Sequence, residues 1–210
     1  MKKLVVLTFV SLDGVMQAPG GKGEDPSGGF DLEGWTVPLF DEAGGNEMGK
    51  QMRPPFDLLL GRKTYELFAG YWPKQGSANP FIAAKKYVVS NRAINTDWEG
   101  TIQIKGDVVA EIRKLKQQDG PMLQVHGSSK LIQTLLANDL VDELWLKVFP
   151  VTLGKGKRLF GEGTIPAAFK LTESTVTPSG VIIASYKRDG EVRLGTADPG
   201  SLHRDPLTAV

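Results

Sequence analysis

Apolar positions along this chain follow two regimes: short continuous runs, and longer stretches in which they recur every three or four residues. Leu4 to Val10 is apolar apart from Thr8, the pattern of a strand covered on both faces. Asp57 to Gly61, Lys86 to Val89 and Met122 to Val125 predict further buried strands, and Thr101 to Lys105 a short one. Helical spacing fills the intervals. Arg62 opens a helix that ends at Tyr71-Trp72-Pro73, and Val37 to Met52 holds another, weakened by Gly44, Gly45 and Gly49. Val108 to Gln118 places Val108, Val109, Ile112 and Leu115 on one face, with Asp107 as N-cap and Gly120-Pro121 as the stop. Leu131, Ile132, Leu135, Leu136 and Leu140 form an apolar stripe behind Ser128 and Ser129, hydroxyl residues of the kind that cap helices. Leu144, Leu146 and Val148 then alternate with Trp145, Lys147 and Phe149 as a strand. Phe169 to Val176 and Val181 to Lys187 flank the turn sequence Thr177-Pro178-Ser179-Gly180 and predict an antiparallel hairpin at a sheet edge.

Strands alternating with helices imply an α/β fold, a largely parallel sheet with helices on both faces. Residues 1–188 form one domain in this reading, and 189–210, without period and rich in Gly, Pro and Asp, form a tail. Ala18 to Gly29 carries five glycines and two prolines, a long loop of the sort that serves as a lid or mouth.

Composition narrows the function classes. A net charge of +1 with acids and bases intermixed gives no nucleic-acid footprint and no polybasic membrane surface. The absence of cysteine excludes disulfides, a thiol nucleophile and thiolate metal sites, and His126 and His203 are too far apart in sequence to suggest a metal site. The apolar run behind Lys2 and Lys3 spans only Leu4 to Val10 and no small-residue cleavage pattern follows, so it reads as a first buried strand, and no stretch approaches the roughly 20 apolar residues of a membrane span. A soluble, cytoplasmic protein is expected.

The candidate chemistry lies where predicted strands meet helices. Gly61-Arg62-Lys63-Thr64, Ser90-Asn91-Arg92 and Gly127-Ser128-Ser129 are rich in donors and cations, and ligands on open α/β sheets bind beyond the carboxyl ends of the strands. Three such ends suit a ligand with several phosphates. The G-x-G-x-x-G signature is absent, since Gly154-Lys155-Gly156 has Leu159 at the third glycine position, and there is no Walker A sequence. Asp13, at the end of the first strand, is the acidic candidate for proton chemistry, or a turn aspartate. His126 reads as a packed strand-end residue, and Lys155-Gly156-Lys157-Arg158 as a solvated loop.

Five segments in this order carry a resemblance: Val10-Ser11-Leu12-Asp13-Gly14, Leu59 to Glu66, Tyr87 to Asn91, Val125 to Leu131, and Leu144-x-Leu146 before Pro150-Val151-x-Leu153-Gly154. Together they resemble the dihydrofolate-reductase-like superfamily, nearest the C-terminal reductase domain of the bifunctional riboflavin-biosynthesis deaminase-reductase and its stand-alone relatives. The resemblance runs from about Met1 to Lys187. It implies a mixed central sheet, an NADPH site, hydride transfer to a small heteroaromatic or conjugated substrate, and a homodimer. Carried over by motif, Gly61, Arg62, Lys63 and Thr64 would receive cofactor phosphates, Ser90, Asn91 and Arg92 the adenosine ribose with its 2′-phosphate, and Gly127, Ser128, Ser129 and Lys130 the pyrophosphate. Asp13 would stand beside the nicotinamide, and Trp35, Phe40, Phe68 and Trp72 could line the substrate pocket. The sequence departs from the family in lacking a recognisable cation cluster for a substrate phosphate and, near Glu42 and Glu47, a clear helix-borne acid. A non-catalytic nucleotide- or ligand-binding module on the same fold is the alternative.

Overall fold

A computed structural model describes residues 1–53, 55–76 and 78–195; most of the tail, with His203, lies outside them. Eight strands form one sheet: β1 (Leu4–Ser11), β2 (Phe56–Gly61), β3 (Lys86–Val89), β4 (Thr101–Ile104), β5 (Met122–His126), β6 (Glu143–Phe149), β7 (Phe169–Val176) and β8 (Ile182–Arg188). Their order is β4-β3-β2-β5-β1-β6-β8-β7. The first six run parallel, and β8 pairs antiparallel with both β6 and β7. Five helices of the α class accompany them: α1 (Glu42–Gln51), α2 (Arg62–Tyr71), α3 (Pro80–Ala83), α4 (Val108–Gln117) and α5 (Ser129–Ala137).

The register sorts the strand residues by face. Leu4, Val6, Leu59, Leu123, Val125, Leu144 and Leu146 pack with α4 and α5, whose buried residues are Ile112 and Leu115 and Leu131, Ile132, Leu135 and Leu136. The opposite face carries Leu58, Leu60 and Val88 against Tyr65 and Phe68 of α2 and Phe81 of α3, and separately Phe9, Phe149 and Ile183 against Trp35 and Phe30. Asp107 caps α4 as expected, its carboxylate accepting from the Ala110 amide at 3.0 Å. The weak helix begins later than its sequence window, at Glu42, because Asp41 accepts from the Gly44 amide and fixes the start there. It buries none of its residues. The four-residue α3, started by the Asn79 cap and Pro80, is too short to leave a periodic signal in the sequence.

Lys2, just ahead of β1, and Asp57, in β2, form a buried ion pair at 2.6 Å, away from the carboxyl ends of the strands. No helix among the described residues is long and apolar enough to cross a membrane.

Candidate functional site

Because β1 to β6 are parallel, their carboxyl ends share one rim of the sheet. Gly61 hands β2 to α2 and His126-Gly127-Ser128 hands β5 to α5 there, and β2 and β5 are neighbours. The two turns are tied together. The Gly61 amide donates to Ser128 Oγ at 2.9 Å, and the Ser128 amide and hydroxyl both donate to Thr64 Oγ1, at 3.1 and 2.9 Å. Gly127 has φ +53°, and a Cβ there would stand 3.4 Å from the Thr64 side chain, so glycine allows the close approach. Ser128 follows in the left-handed region at φ 60°, an uncommon conformation for a side-chain-bearing residue.

Ser128 therefore does not cap its own helix, as the hydroxyl pattern had suggested; its side chain makes no cap bond to α5 and joins the β2–α2 turn instead. Helix geometry leaves the first amides of α2 and α5 without intrahelical partners, and both helices point the positive ends of their dipoles at this rim. Removing the Ser128 hydroxyl orphans the half-buried Gly61 amide, so Ser128→Ala is expected to cost about 1–3 kcal/mol in chemical denaturation.

The third turn is equally fixed. Ser90 closes on Arg92, accepting its amide at 3.1 Å and donating to its carbonyl at 2.8 Å; Asn91 accepts from the Gly106 amide, and Gln103 donates to the carbonyls of Ser90 and Arg92. Arg92 is exposed. Arg62 forks onto Glu66 one turn along α2, at 2.7 and 2.8 Å. Lys63 and Lys130 are exposed.

Asp13 lies at the same rim, beyond β1. Its Oδ1 accepts from Ser11 Oγ at 2.6 Å and the Leu153 amide at 3.1 Å, and its Oδ2 from the Gly154 amide at 2.8 Å. These donors, the Ser11 hydroxyl first, hold its carboxyl down at about 2. In this geometry Asp13 is an ionised group fastening the loop after β6, with no proton to give near neutrality. The 155–158 segment is committed in a similar way: Lys155 meets Asp31 at 3.0 Å, Lys157 bonds Asp25 and Ser27, and Arg158 bonds the Asp13 carbonyl. The Lys157 bonds to Asp25 and Ser27 tie this segment to the 18–29 loop beside an open pocket of about 250 Å³ lined by Gln17, Phe30, Lys155 and Lys157.

The four aromatics fall into separate groups. Phe68 and Trp72 pack with each other, at 6.0 Å between ring centroids, and Phe68 lies 6.2 Å from His126. Phe40 lies 6.3 Å from Phe9. Trp35 is core: it packs edge-on to Phe149 at 5.4 Å and donates its indole N–H to the Gln17 carbonyl. His126 is buried, bonded to Gln124 at 3.0 Å and held down at about 3 by burial first and the charge of Lys147 second. Glu47 is engaged by Lys50 on α1. The sequence had shown Lys147 as the polar partner in an alternating strand; in the structure its side chain is buried, because both faces of β6 are covered.

A mostly parallel eight-stranded sheet ending in an antiparallel hairpin places the chain in the dihydrofolate-reductase-like class of α/β folds. Within that class the chain belongs to the family of the RibD C-terminal domain, whose model matches residues 2–183. It is similar to the uncharacterized protein YyaP of Bacillus subtilis (strain 168), with 31% identity over 195 residues covering 90% of this chain and 96% of YyaP. Among solved structures it is similar to a pyrimidine reductase-like protein from Corynebacterium diphtheriae, with TM-score 0.60, 14% identity, and 90% and 93% of the two chains covered. It is also similar to a dihydrofolate reductase from Enterococcus faecalis complexed with NADP(H), with TM-score 0.57, 16% identity, and 89% and 96% covered.

Proposed function

We propose that this protein is an NADPH-dependent reductase of a small conjugated or heteroaromatic substrate. The observation that carries the reading is the joint at Gly61, Thr64 and Ser128, which sets the N-termini of α2 and α5 side by side at the rim. Two helix ends held together are a receptor for a diphosphate, since each offers unpaired amides and partial positive charge. Thr64, Ser128, Ser129 and Lys130 take the pyrophosphate in this reading, with Gly61 and Gly127 supplying close approach. Arg92, beside Ser90 and Asn91, and Arg62 and Lys63 receive the 2′-phosphate that separates NADPH from NADH. The family supports the reductase class, and the Enterococcus enzyme binds NADP(H) on the same fold.

When bound, the nicotinamide supplies the hydride. The chain's own residues align it and exclude water: Phe40 with Phe9 on one side and Phe68 with Trp72 on the other border the floor made by β1 and β5. Asp13 acts there by holding the 153–154 loop.

Calorimetric titration with NADPH and NADH, read also by nicotinamide fluorescence, tests this. Tighter binding of NADPH is expected. Binding of neither nucleotide sinks the reading and leaves a ligand-binding module of another specificity.

A further inference from the structure

On the face of the sheet under α1 and α2, apolar packing falls into two clusters. One is built on Leu58, Leu60 and Phe81, the other on Phe9, Phe149 and Ile183. Between them β5 and β6 present Gln124, His126 and Lys147, all buried. The register sets Lys147 beside Phe9 of β1 and Ile183 of β8, and His126 beside Leu7 of β1. This polar strip underlies the same floor that Phe40 and Phe68 border.

Lys147 is 1% exposed, and its Nζ donates to Gln51 Oε1 at the end of α1. One neutral acceptor is little compensation for a buried ammonium with three donors. The titratable groups on the elements packed around it are His126 on β5, which is neutral, and, on α1, Glu47 and Lys50, which pair with each other; Glu173 of β7 lines the groove beyond Gln51, and β1 and β8 contribute Phe9 and Ile183. Burial accordingly pulls the Lys147 amine down to about 7.

The cover over Lys147 is lightly held. Gly44, Gly45 and Gly49 lie within α1 and lower its helix propensity, and the helix buries no residue and is fastened by polar contacts. At its start Asp41 accepts from the Ser179 amide at 2.9 Å, and at its end the Gln51 carbonyl accepts from Gln124 at 2.8 Å. A half-open groove of about 160 Å³, lined by Glu47, Lys50, Gln51, Trp145, Glu173 and Ser185, runs along its flank. Gln51 thus separates the groove from the amine.

We propose that Lys147 is the proton donor of the reductase reaction, passing a proton from Nζ to a carbonyl oxygen or ring nitrogen of the substrate that takes the place of the Gln51 carboxamide oxygen. The proposal rests on the reductase reading above. Hydride from NADPH adds to the carbon of a C=O or C=N bond, or to a carbon conjugated with it. The displaced π pair moves to the heteroatom, the heteroatom takes the proton, and NADP+ and a neutral amine remain; solvent then reprotonates the amine. Gln51 shows which acceptor the site favours: an uncharged carbonyl-type atom. A donor whose affinity for its proton lies near the working pH is the efficient one.

The experiment compares wild type with Lys147→Met and Lys147→Gln. Each is titrated with NADPH, melted, and assayed for NADPH oxidation across the neutral pH range with 7,8-dihydrofolate and 2-cyclohexenone as probe acceptors. Wild type is expected to oxidise NADPH with at least one probe, the rate falling as pH rises through about 7. Both variants should bind NADPH within about twofold of wild type and lose about a hundredfold or more in rate, together with that pH step. Lys147→Met should also melt higher near neutral pH, since it removes a buried charge.

A stability slope gives a second readout. Unfolded lysine titrates at 10.5 and the folded group at about 7, so the unfolded chain holds more protons between those values and stability rises with pH across them. Lys147→Met should abolish this contribution. Variants that keep both the rate and its pH step overturn the role of Lys147, and wild type that binds NADPH but reduces neither probe overturns the stated substrate class. Wild type that binds no NADPH defeats the reductase reading itself, and the proton donor with it.

Discussion

Lys2→Met is expected to cost about 3–5 kcal/mol, because it leaves Asp57 buried without its cation. Lys2 and Asp57 are each 5% exposed and meet at 2.6 Å, and the other donor to Asp57 is the Lys85 amide at a long 3.3 Å. That amide cannot stand in for an ammonium. Replacing both partners, as Lys2→Met with Asp57→Leu, should recover most of the loss, since a buried pair exchanged for apolar groups of similar volume is often neutral. For a chain of this size each kcal/mol moves the melting temperature by about 2–4 °C, so the single variant should melt about 6–20 °C lower. The pair lies away from the rim where the cofactor is placed, so NADPH affinity at a temperature where the variant is folded should be unchanged. A loss under about 1 kcal/mol for the single variant would mean that water reaches the pair in solution.

Arg62→Ala combined with Arg92→Ala should weaken NADPH far more than NADH. A charge-assisted bond to a phosphate contributes about 1.5–3 kcal/mol, roughly tenfold to a hundredfold in affinity. Arg62 must first leave Glu66, but an exposed pair one helical turn apart is worth only about 0.3–0.5 kcal/mol, so the phosphate wins. Titration of the double variant with both nucleotides decides it. Equal losses for the two would remove the 2′-phosphate from this corner of the rim.

Much of the fold was legible because the apolar runs are long enough to decide their own conformation. The strands from Leu4, Asp57, Lys86 and Met122, the capped helix after Asp107 and the hairpin about Thr177-Pro178-Ser179-Gly180 all stand near their sequence bounds. Strand order was not legible, since it depends on pairings between distant segments. The site divides along the same line. Ser128, Thr64 and Gly61 could each be marked as ligand-side residues, but their mutual bonds span 64 and 67 positions and have no local signature. Lys147 was invisible for a different reason. A lysine in an alternating strand reads as solvent-facing, and only Gln51 at the end of α1, with Phe9 and Ile183 on the flanking strands, covers it.

The central position of β1 has a consequence for how the molecule comes to be folded. Its partners on either side, β5 and β6, begin at Met122 and Glu143, so β1 has neither neighbour until more than a hundred further residues have been made. Closing loops of that length precedes any reward from the pairing, which favours slow folding. During synthesis Leu4 to Val10, the most continuously apolar run of the N-terminal segment, remains an open template for other strands. The same strand that unites the two halves of the finished sheet is therefore unpaired for longest as the domain is made.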